Sequence, residues 1–160
     1  MLYDIYLAGP FFTPLQKARM EEVKSILAEY NLRIADPQNL GPVIVELKEE
    51  EKSEALFCRI FQGNITALDN SYMMLASIDE KDTGTSFELG YFYSRTELMG
   101  PHQIVTFAFD APKINVMLSQ AVSHHIASRA ELREFLSINR DNIANANKLK
   151  FNSVRPATNE

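Results

Sequence analysis

Hydrophobic positions along the chain follow two kinds of pattern. Short apolar runs rich in β-branched and aromatic residues predict buried strands, and apolar residues repeated every three or four positions predict helices that bury one face. Three runs are strong strand candidates, at 2–8, 72–78 and 103–109. Two weaker candidates lie near 32–35 and 125–128. Helical periodicity covers four further segments, at about 13–30, 53–68, 86–98 and 129–138.

Some of these segments carry additional local signals. Thr13 followed by Pro14 is a typical helix start, with a hydroxyl N-cap and a proline in the first turn. The second helix has an expected apolar stripe made of Phe57, Ile60, Phe61, Ile65 and Leu68. Cys58, the only cysteine of the chain, lies beside that stripe and is interpreted as a small core residue rather than a nucleophile.

The order of these elements predicts the fold class. Strands that alternate with helices of roughly 10–15 residues indicate βαβ units and a parallel sheet. We expect an α/β, flavodoxin-like, doubly wound five-stranded parallel sheet in the order 2-1-3-4-5, with helices on both faces. In such a sheet ligands bind beyond the carboxyl ends of the strands where the winding reverses. The loops "LAGPFF" (7–12) and "DEKDTGTSFE" (79–88) should therefore face one crevice.

The chain is expected to be one domain followed by a tail. Its 160 residues, 46% hydrophobic and 23% charged, suit one folded domain. We place this domain at 1–138. From Asn139 onwards, residues 139–160 are rich in Asn and poor in large apolar groups, which predicts low order unless a neighbouring subunit covers the tail. "KINVML" (113–118) predicts a loop or a short helix.

Charge and composition exclude several functional classes. The net charge of −5 argues against a nucleic-acid surface, although it leaves phosphorylated small molecules open. No apolar run approaches the roughly 18–20 residues of a membrane span. The N-terminus lacks a basic segment followed by a hydrophobic stretch, so we expect a cytoplasmic protein without a membrane partner. His124 and His125 have no matching Cys or carboxylate pattern, and we expect no metal site.

The segment "DTGTSFELGY" (82–91) contains the most informative polar residues. Glu88 has two interpretations: a capping box with Thr85, or an ionised carboxylate near a helix N-terminus that acts as a nucleophile. Asp82 either begins a turn or forms with Glu88 a carboxylate pair suited to glycosidic-bond chemistry. Gly84 would allow a ligand to approach closely.

Three other positions complete the candidate set. Tyr6, near the end of the first strand, is either a core tyrosine or a hydrogen-bond donor to a carboxylate in the crevice. Gly9 and Pro10 make a tight exit from that strand without forming a complete dinucleotide or P-loop motif. Asn64 interrupts the apolar stripe of the second helix, so its amide either makes a structural hydrogen bond or faces a ligand heterocycle.

Taken together, these motifs resemble the nucleoside 2-deoxyribosyltransferase family over about residues 3–120. The resemblance is carried by "IYLAGPFF" (5–12), by Asn64 eight residues before "YMMLASID" (72–79), by "DTGTSFELGY", and by "INVML" (114–118). It implies a flavodoxin-like fold and a two-step, retaining glycosyl transfer that needs no metal or redox cofactor.

The resemblance also implies roles for individual residues. Glu88 would attack C1′ of a 2′-deoxyribonucleoside and expel the base, and a second base would then attack the covalent intermediate. Tyr6 would orient Glu88, and Asp82 would bind the sugar hydroxyls. Asn115, otherwise a turn residue, would reach the sugar in the site of an adjacent subunit. The substrate-binding residues implied are Gly9, Pro10, Phe11, Asn64, Gly84, Asn115 and Met117.

One departure leaves alternatives open. Many family members have an aspartate at the position of Asn64, and an amide cannot be a general acid, so the route of the proton and the base preference stay open. A hydrolase acting on nucleosides or deoxynucleoside 5′-monophosphates, and a non-catalytic nucleoside-binding protein, are the alternatives. The absence of arginine from the motifs favours free nucleosides. We expect a deoxynucleoside, a free nucleobase and further copies of the chain, in a homo-oligomer, as partners in nucleotide salvage.

Overall fold

A computed structural model of the chain describes residues 2–43, 46–99, 103–110 and 114–150. Strands and helices alternate along it, as the hydrophobic pattern predicts. In chain order the elements are β1 (Tyr3–Ala8), α1 (Pro14–Ala28), β2 (Ile34–Ala35), α2 (Pro37–Leu40), a 3-10 turn (Glu49–Glu51), α3 (Glu54–Asp69), β3 (Ser71–Ser77), α4 (Thr83–Met99), β4 (Gln103–Phe107), α5 (Val116–Ala121), β5 (His124–Ile126) and α6 (Arg129–Ala144).

The five strands form one parallel sheet in the order β2-β1-β3-β4-β5. This confirms the predicted flavodoxin-like, doubly wound architecture. Tyr6 on β1 is in register with Ala35 on β2 and Met74 on β3. The winding reverses between β1 and β3, so the chain leaves these two strands at the same edge of the sheet, where a ligand site is expected.

Helices cover both faces of the sheet, and the sheet separates the core into two layers. Helices α1 and α6 pack on the face that carries Ile5 and Leu7, whereas α3, α4 and α5 pack on the face that carries Tyr6 and Ala8. Side chains of successive strand residues point to opposite faces, which explains why neighbours on β1 belong to different layers. None of the helices in the described part of the chain is both long and apolar enough to cross a membrane.

The apolar stripe predicted for α3 is wrong in part. Phe57 and Phe61 are 40% and 48% exposed, and Cys58 is exposed as well, so the interpretation of Cys58 as a core residue is also wrong. The helix instead buries Leu56, Ala67 and Leu68. The sequence of α3 contains apolar residues around more than one side, and only the side that packs on the sheet and its neighbours is covered.

The predicted boundary at residue 138 lies inside a helix. Helix α6 continues to Ala144, and Asn139 is fully buried within it. The Asn139 amide is satisfied there, because its Nδ2 donates to the carbonyls of Phe135 and Lys150 and its Oδ1 accepts from the backbone N–H of Lys150. Leu149 is buried too, so the first part of the predicted tail packs on this chain's own core. The low order expected for residues 151–160 concerns residues outside the described ranges.

Candidate active site

Helix α4 begins at Thr83, three residues before the predicted start at Ser86. Oδ2 of Asp82 accepts hydrogen bonds from the backbone N–H and the hydroxyl of Thr85, both at 2.7 Å. Asp82 therefore satisfies one of the free amides at the helix start. The capping-box interpretation of Glu88 is wrong, because Glu88 is the sixth residue of the helix and its side chain binds elsewhere.

Glu88 binds Tyr6 at the switch point of the sheet, which is the place between β1 and β3 where the winding reverses. The Tyr6 hydroxyl donates to Oε1 of Glu88 at 2.6 Å, although the two residues are 82 positions apart in sequence. Tyr6 is fully buried on β1, so its hydroxyl is a fixed donor. Glu88 is half-buried, and within the described residues its Oε2 accepts no hydrogen bond. One oxygen of the carboxylate is thus held while the other is available.

Burial changes the acidity of both partners. The pKa of Glu88 is raised to about 7, because desolvation by burial outweighs the hydrogen bond from Tyr6, which lowers the pKa, and the negative charge of Asp82 adds to the increase. The pKa of Tyr6 is raised above its usual range, mainly by burial and then by the charge of Glu88. Tyr6 therefore stays protonated as a donor, and Glu88 changes between its acid and carboxylate forms near neutral pH.

The exit of β1 passes very close to neighbouring elements. A Cβ atom on Gly9 would lie 2.9 Å from Sδ of Met20 and 2.9 Å from Cβ of Ser77. Only glycine fits between α1 and the end of β3 without displacing one of them. Pro10, which is buried, and Phe11, which is half-buried, follow at this edge. This loop and the loop before α4 leave neighbouring strands, as the predicted crevice requires.

A cavity of about 690 Å³ lies between α4 and α5. Its described lining includes Asp82, Ser86, Leu89, Tyr93, Asn115 and Met117, but neither Tyr6 nor Glu88. Positions 82, 86, 89 and 93 fall on one face of a helix at the spacing of its turns, and Glu88 lies on a different face. The cavity and the Tyr6–Glu88 pair therefore flank α4 on two sides. Asp82 belongs to both, because it lines the cavity and its charge acts on Glu88.

The other predicted residues occupy separate places. Asn115 caps α5, since its Oδ1 accepts from the backbone N–H of Met117 at 2.8 Å, and Met117 is 76% exposed. Gly84 lies next to Asp82, whose Oδ2 would be 3.2 Å from a Cβ at that position. Asn64 is half-buried on α3, and its amide makes no hydrogen bond within the part of the chain described. The structural hydrogen bond considered for Asn64 is therefore not found.

Sequence reasoning missed several polar residues beside the site. Asp36, which directly follows β2, is buried, caps α2 and accepts from Nζ of Lys24 at 2.6 Å. Its charge contributes to the raised pKa of Tyr6. Arg19 on α1 is buried among carboxylates. The available signal was position: Asp36 ends a strand, and Arg19 occupies a core-facing turn of α1. Among the described residues, no group of three or more His, Cys, Asp or Glu side chains could hold a metal ion.

These features define a flavodoxin-like α/β protein with a tyrosine-bound carboxylate at the switch point of its sheet. The family model described as nucleoside 2-deoxyribosyltransferase matches residues 5–125, and the chain belongs to this family.

Two solved structures share the fold. A 2-deoxyribosyltransferase from the psychrotolerant bacterium Bacillus psychrosaccharolyticus is similar with a TM-score of 0.71 and 20% identity, over 92% of this chain and 98% of that chain. A conserved protein from Enterococcus faecalis V583 has a TM-score of 0.59 and 16% identity, over 81% and 94% of the two chains. At these identities the likeness concerns the fold alone. A search of curated proteins found no match.

Proposed function

We propose that this chain is a nucleoside 2-deoxyribosyltransferase that moves 2-deoxyribose from one nucleobase to another through a covalent intermediate on Glu88. The observation that carries the proposal is the 2.6 Å hydrogen bond between the Tyr6 hydroxyl and Oε1 of Glu88. It leaves Oε2 without a partner among the described residues. Family membership supports the same reaction type.

In the first step, Oε2 of ionised Glu88 attacks C1′ of the deoxynucleoside. A C–O bond forms, the C1′–N glycosidic bond breaks, and its electron pair stays on the base nitrogen, which takes up a proton. Tyr6 restricts the rotation of the carboxylate, so that the nucleophile is oriented before the substrate binds. A 2′-deoxyribosyl group suits this chemistry, because without a 2′-hydroxyl the positively charged sugar is easier to form.

In the second step, a nitrogen of another base attacks C1′ from the opposite side. The C–O bond to Glu88 breaks, the carboxylate is regenerated, and the incoming base loses its proton. Splitting the reaction into two displacements lowers each barrier. Asn64 can bind either base through its amide, which both donates and accepts, but cannot supply the proton. We propose that the proton is exchanged with water at the crevice.

The surroundings of Asp82 favour neutral deoxynucleosides over their phosphates. Asp82 would bind sugar hydroxyls through Oδ1, since Oδ2 is engaged by Thr85. The described lining of the adjacent cavity contains no arginine, and Lys81 lies there between Glu80 and Asp82. A 5′-phosphate would meet the carboxylate of Asp82 with one lysine to compensate both charges, since the charge of Glu80 is already paired with Arg19, and this is an unfavourable balance. The proposed role is the exchange of bases among deoxynucleosides, as in nucleotide salvage.

We also propose that the active form is a homo-oligomer. Three exposed phenylalanines lie on neighbouring helices, with Phe57 and Phe61 on α3 and Phe87 on α4 at 40%, 48% and 52% exposure. The rings of Phe61 and Phe87 are 5.9 Å apart, so they form one surface. Burial against another copy would remove this apolar area from water.

The test is chromatography of a deoxynucleoside incubated with the purified protein, with and without a second base. We expect a new deoxynucleoside when the second base is present, and a covalent deoxyribosyl adduct on Glu88 by mass spectrometry when it is absent. If free deoxyribose is released equally fast in both samples, the reaction is hydrolysis and not transfer.

A matched pair of variants links the activity to Glu88. Glu88→Gln should lower turnover on the order of 10³-fold or more, because the nucleophile is removed. Glu134→Gln, which changes an exposed carboxylate on α6, should leave turnover unchanged. If the wild type shows no turnover and both variants bind the nucleoside equally well, the protein is a binding module and not an enzyme.

A further inference from the structure

A buried guanidinium joins three carboxylates at the carboxyl edge of the sheet. Arg19, on α1, is 6% exposed. Its Nε lies 3.4 Å from Asp79, Nη1 lies 3.3 Å from Glu80 and Nη2 lies 2.5 Å from Asp110. A fork of this shape binds several carboxylates at once, which a lysine cannot do with the same geometry.

The three carboxylates come from the two loops that follow β3 and β4. Asp79 and Glu80 lie just after β3, and Asp110 lies after β4. The loops are also joined to each other, because the backbone N–H of Asp110 donates to Oδ1 of Asp79 at 2.7 Å. Gln16, one turn before Arg19 on α1, donates its amide to Glu80. One face of α1 therefore holds both loops.

The loop after β3 is the segment that leads into the candidate active site. One residue separates Glu80 from Asp82, which caps α4. The direction in which α4 leaves the loop determines where Glu88 lies, whereas Tyr6 is fixed on a central strand. A movement of the loop would therefore change the Tyr6–Glu88 distance.

We propose that Arg19 is a positioning residue of the active site: it holds the 79–82 segment so that Glu88 on α4 meets Tyr6. The role rests on the proposed function. Its physical basis is charge, since one guanidinium faces three carboxylates and the side chain of Asp79 is only 1% exposed. Without the cation these carboxylates repel one another, and an uncompensated buried charge is strongly unfavourable.

Arg129, a cation near the same loops, is poorly placed to substitute for Arg19. Arg129 lies over the ring of Phe109 at 4.8 Å and pairs with Glu22 at 2.6 Å. Its side chain is 48% exposed, so its charge is screened by solvent. Among the described residues, Asp79 and Glu80 are therefore compensated directly by Arg19.

The test compares Arg19→Gln with a matched variant, Arg33→Gln. Arg33 also pairs with a buried carboxylate, Asp4, at 2.5 Å, but at the opposite end of β1 from the candidate site. Both changes remove a guanidinium from a buried acid and should lower the melting temperature. Two readouts then separate positioning from stability: deoxyribosyl transfer measured below the melting temperature of both variants, and an NMR titration of the Glu88 carboxyl carbon.

We expect Arg19→Gln to lower kcat about 10- to 100-fold with a smaller change in KM, as for a misplaced nucleophile. Its Glu88 titration should move below the wild-type midpoint, because water entering the opened site removes the desolvation that is the largest cause of the raised pKa, and this outweighs the loss of the Tyr6 hydrogen bond. Arg33→Gln should keep the wild-type kcat and titration. The inference is overturned if Arg19→Gln behaves like Arg33→Gln in both readouts.

Two further measurements keep the inference testable. If Arg19→Gln does not fold, Glu80→Ala replaces it, since that side chain is 39% exposed and its loss should not unfold the protein. We expect a severalfold lower kcat and a lowered Glu88 midpoint, and wild-type values for both would overturn the inference. If the wild type shows no transfer, the proposed function fails, and the Glu88 titration alone decides whether Arg19 positions this carboxylate.

Discussion

At the scale of single residues, the acidity of Glu88 reflects two opposed effects. Burial and the charge of Asp82 favour its protonated form, and the hydrogen bond from Tyr6 favours its carboxylate. A nucleophile of this kind is less hydrated, and so more reactive, than an exposed carboxylate, but it is available only above its own pKa. The pH dependence of the reaction should therefore report on this one group.

We expect kcat/KM to fall about tenfold per pH unit below about pH 7, because the raised pKa of Glu88 leaves the nucleophile protonated there. Tyr6→Phe removes the hydrogen bond that lowers this pKa, so the acidic limb should move to higher pH. A pH–rate profile from pH 5 to 9 measures both effects. An acidic limb that stays near pH 4 to 5 would show that another group controls the rate.

Glu88→Gln should increase stability while removing activity. A pKa raised to about 7 means that the folded protein binds the Glu88 proton more tightly than the unfolded chain. The stability from this group is present below about pH 4.5 and is lost as pH rises through about 7. At pH 8 the variant should be more stable by about 1–3 kcal/mol, and at pH 5 the difference should be small. Thermal unfolding at both pH values tests this. A lower melting temperature at pH 8 would contradict it.

At the scale of elements, Asp82 has two roles at the start of α4, one structural and one electrostatic. Its carboxylate caps the helix through Thr85, and its charge acts on Glu88. Asp82→Ala removes both and should cost about 0.5–2 kcal/mol of stability. The acidic limb should move to lower pH, opposite to the effect of Tyr6→Phe, because a nearby negative charge is lost. Denaturant unfolding and the pH–rate profile measure the two effects.

Two variants separate the roles of Asp82. Asp82→Asn keeps a good capping side chain but loses the charge, so the limb should move without a large loss of stability. Ser128→Ala removes the cap of α6, where the Ser128 hydroxyl accepts from Glu131 N–H at 3.2 Å, and should lower stability only. If the pH–rate profile is the same in the wild type and in Asp82→Asn, the charge of Asp82 does not affect the pKa of Glu88.

The elements also show how far local pattern predicts structure. The sheet was predicted well because its strands are short apolar runs, and the parallel order follows from alternation with helices. The start of α4 was predicted three residues late, because Asp82, Thr83, Thr85 and Ser86 are all acceptable caps. Only the packed structure selects the residue whose carboxylate reaches the right amide.

Burial of a helix face was harder to predict than the helix itself. Helix α3 has apolar residues on more than one side, and the sequence does not say which side meets the sheet, so Phe57, Phe61 and Cys58 were assigned to the core. In α6 the Asn-rich composition suggested a tail, but Asn139 is buried by bonding backbone groups within the chain. The contact between Tyr6 and Glu88 was expected from strand parity and family resemblance. The Arg19 network joins α1 to two loops that are distant in sequence, and its partners therefore could not be predicted from local pattern.

At the scale of the whole molecule, the candidate site is divided between two sides of α4. Asn115 and Met117 line a cavity that excludes the Glu88 of the same chain, and Met117 is 76% exposed. These two residues are therefore poorly placed to contact a sugar bound to their own Glu88. An arrangement in which they serve the Glu88 of a neighbouring subunit agrees with the proposed homo-oligomer.

Mixing two inactive variants tests this arrangement. Glu88→Gln lacks the nucleophile, and Asn115→Ala should lose most activity because the sugar is no longer bound from the neighbouring chain. If the site is shared, co-expressed variants form oligomers in which an intact Glu88 faces an intact Asn115. In a randomly mixed dimer about a quarter of the wild-type sites are restored. Transfer activity of the mixture, compared with each variant alone and with a chain carrying both changes, measures this recovery. No gain on mixing, with mixed oligomers verified by affinity tags, would mean that Asn115 acts within its own subunit, and the cavity beside Asp82 would then have to hold the sugar.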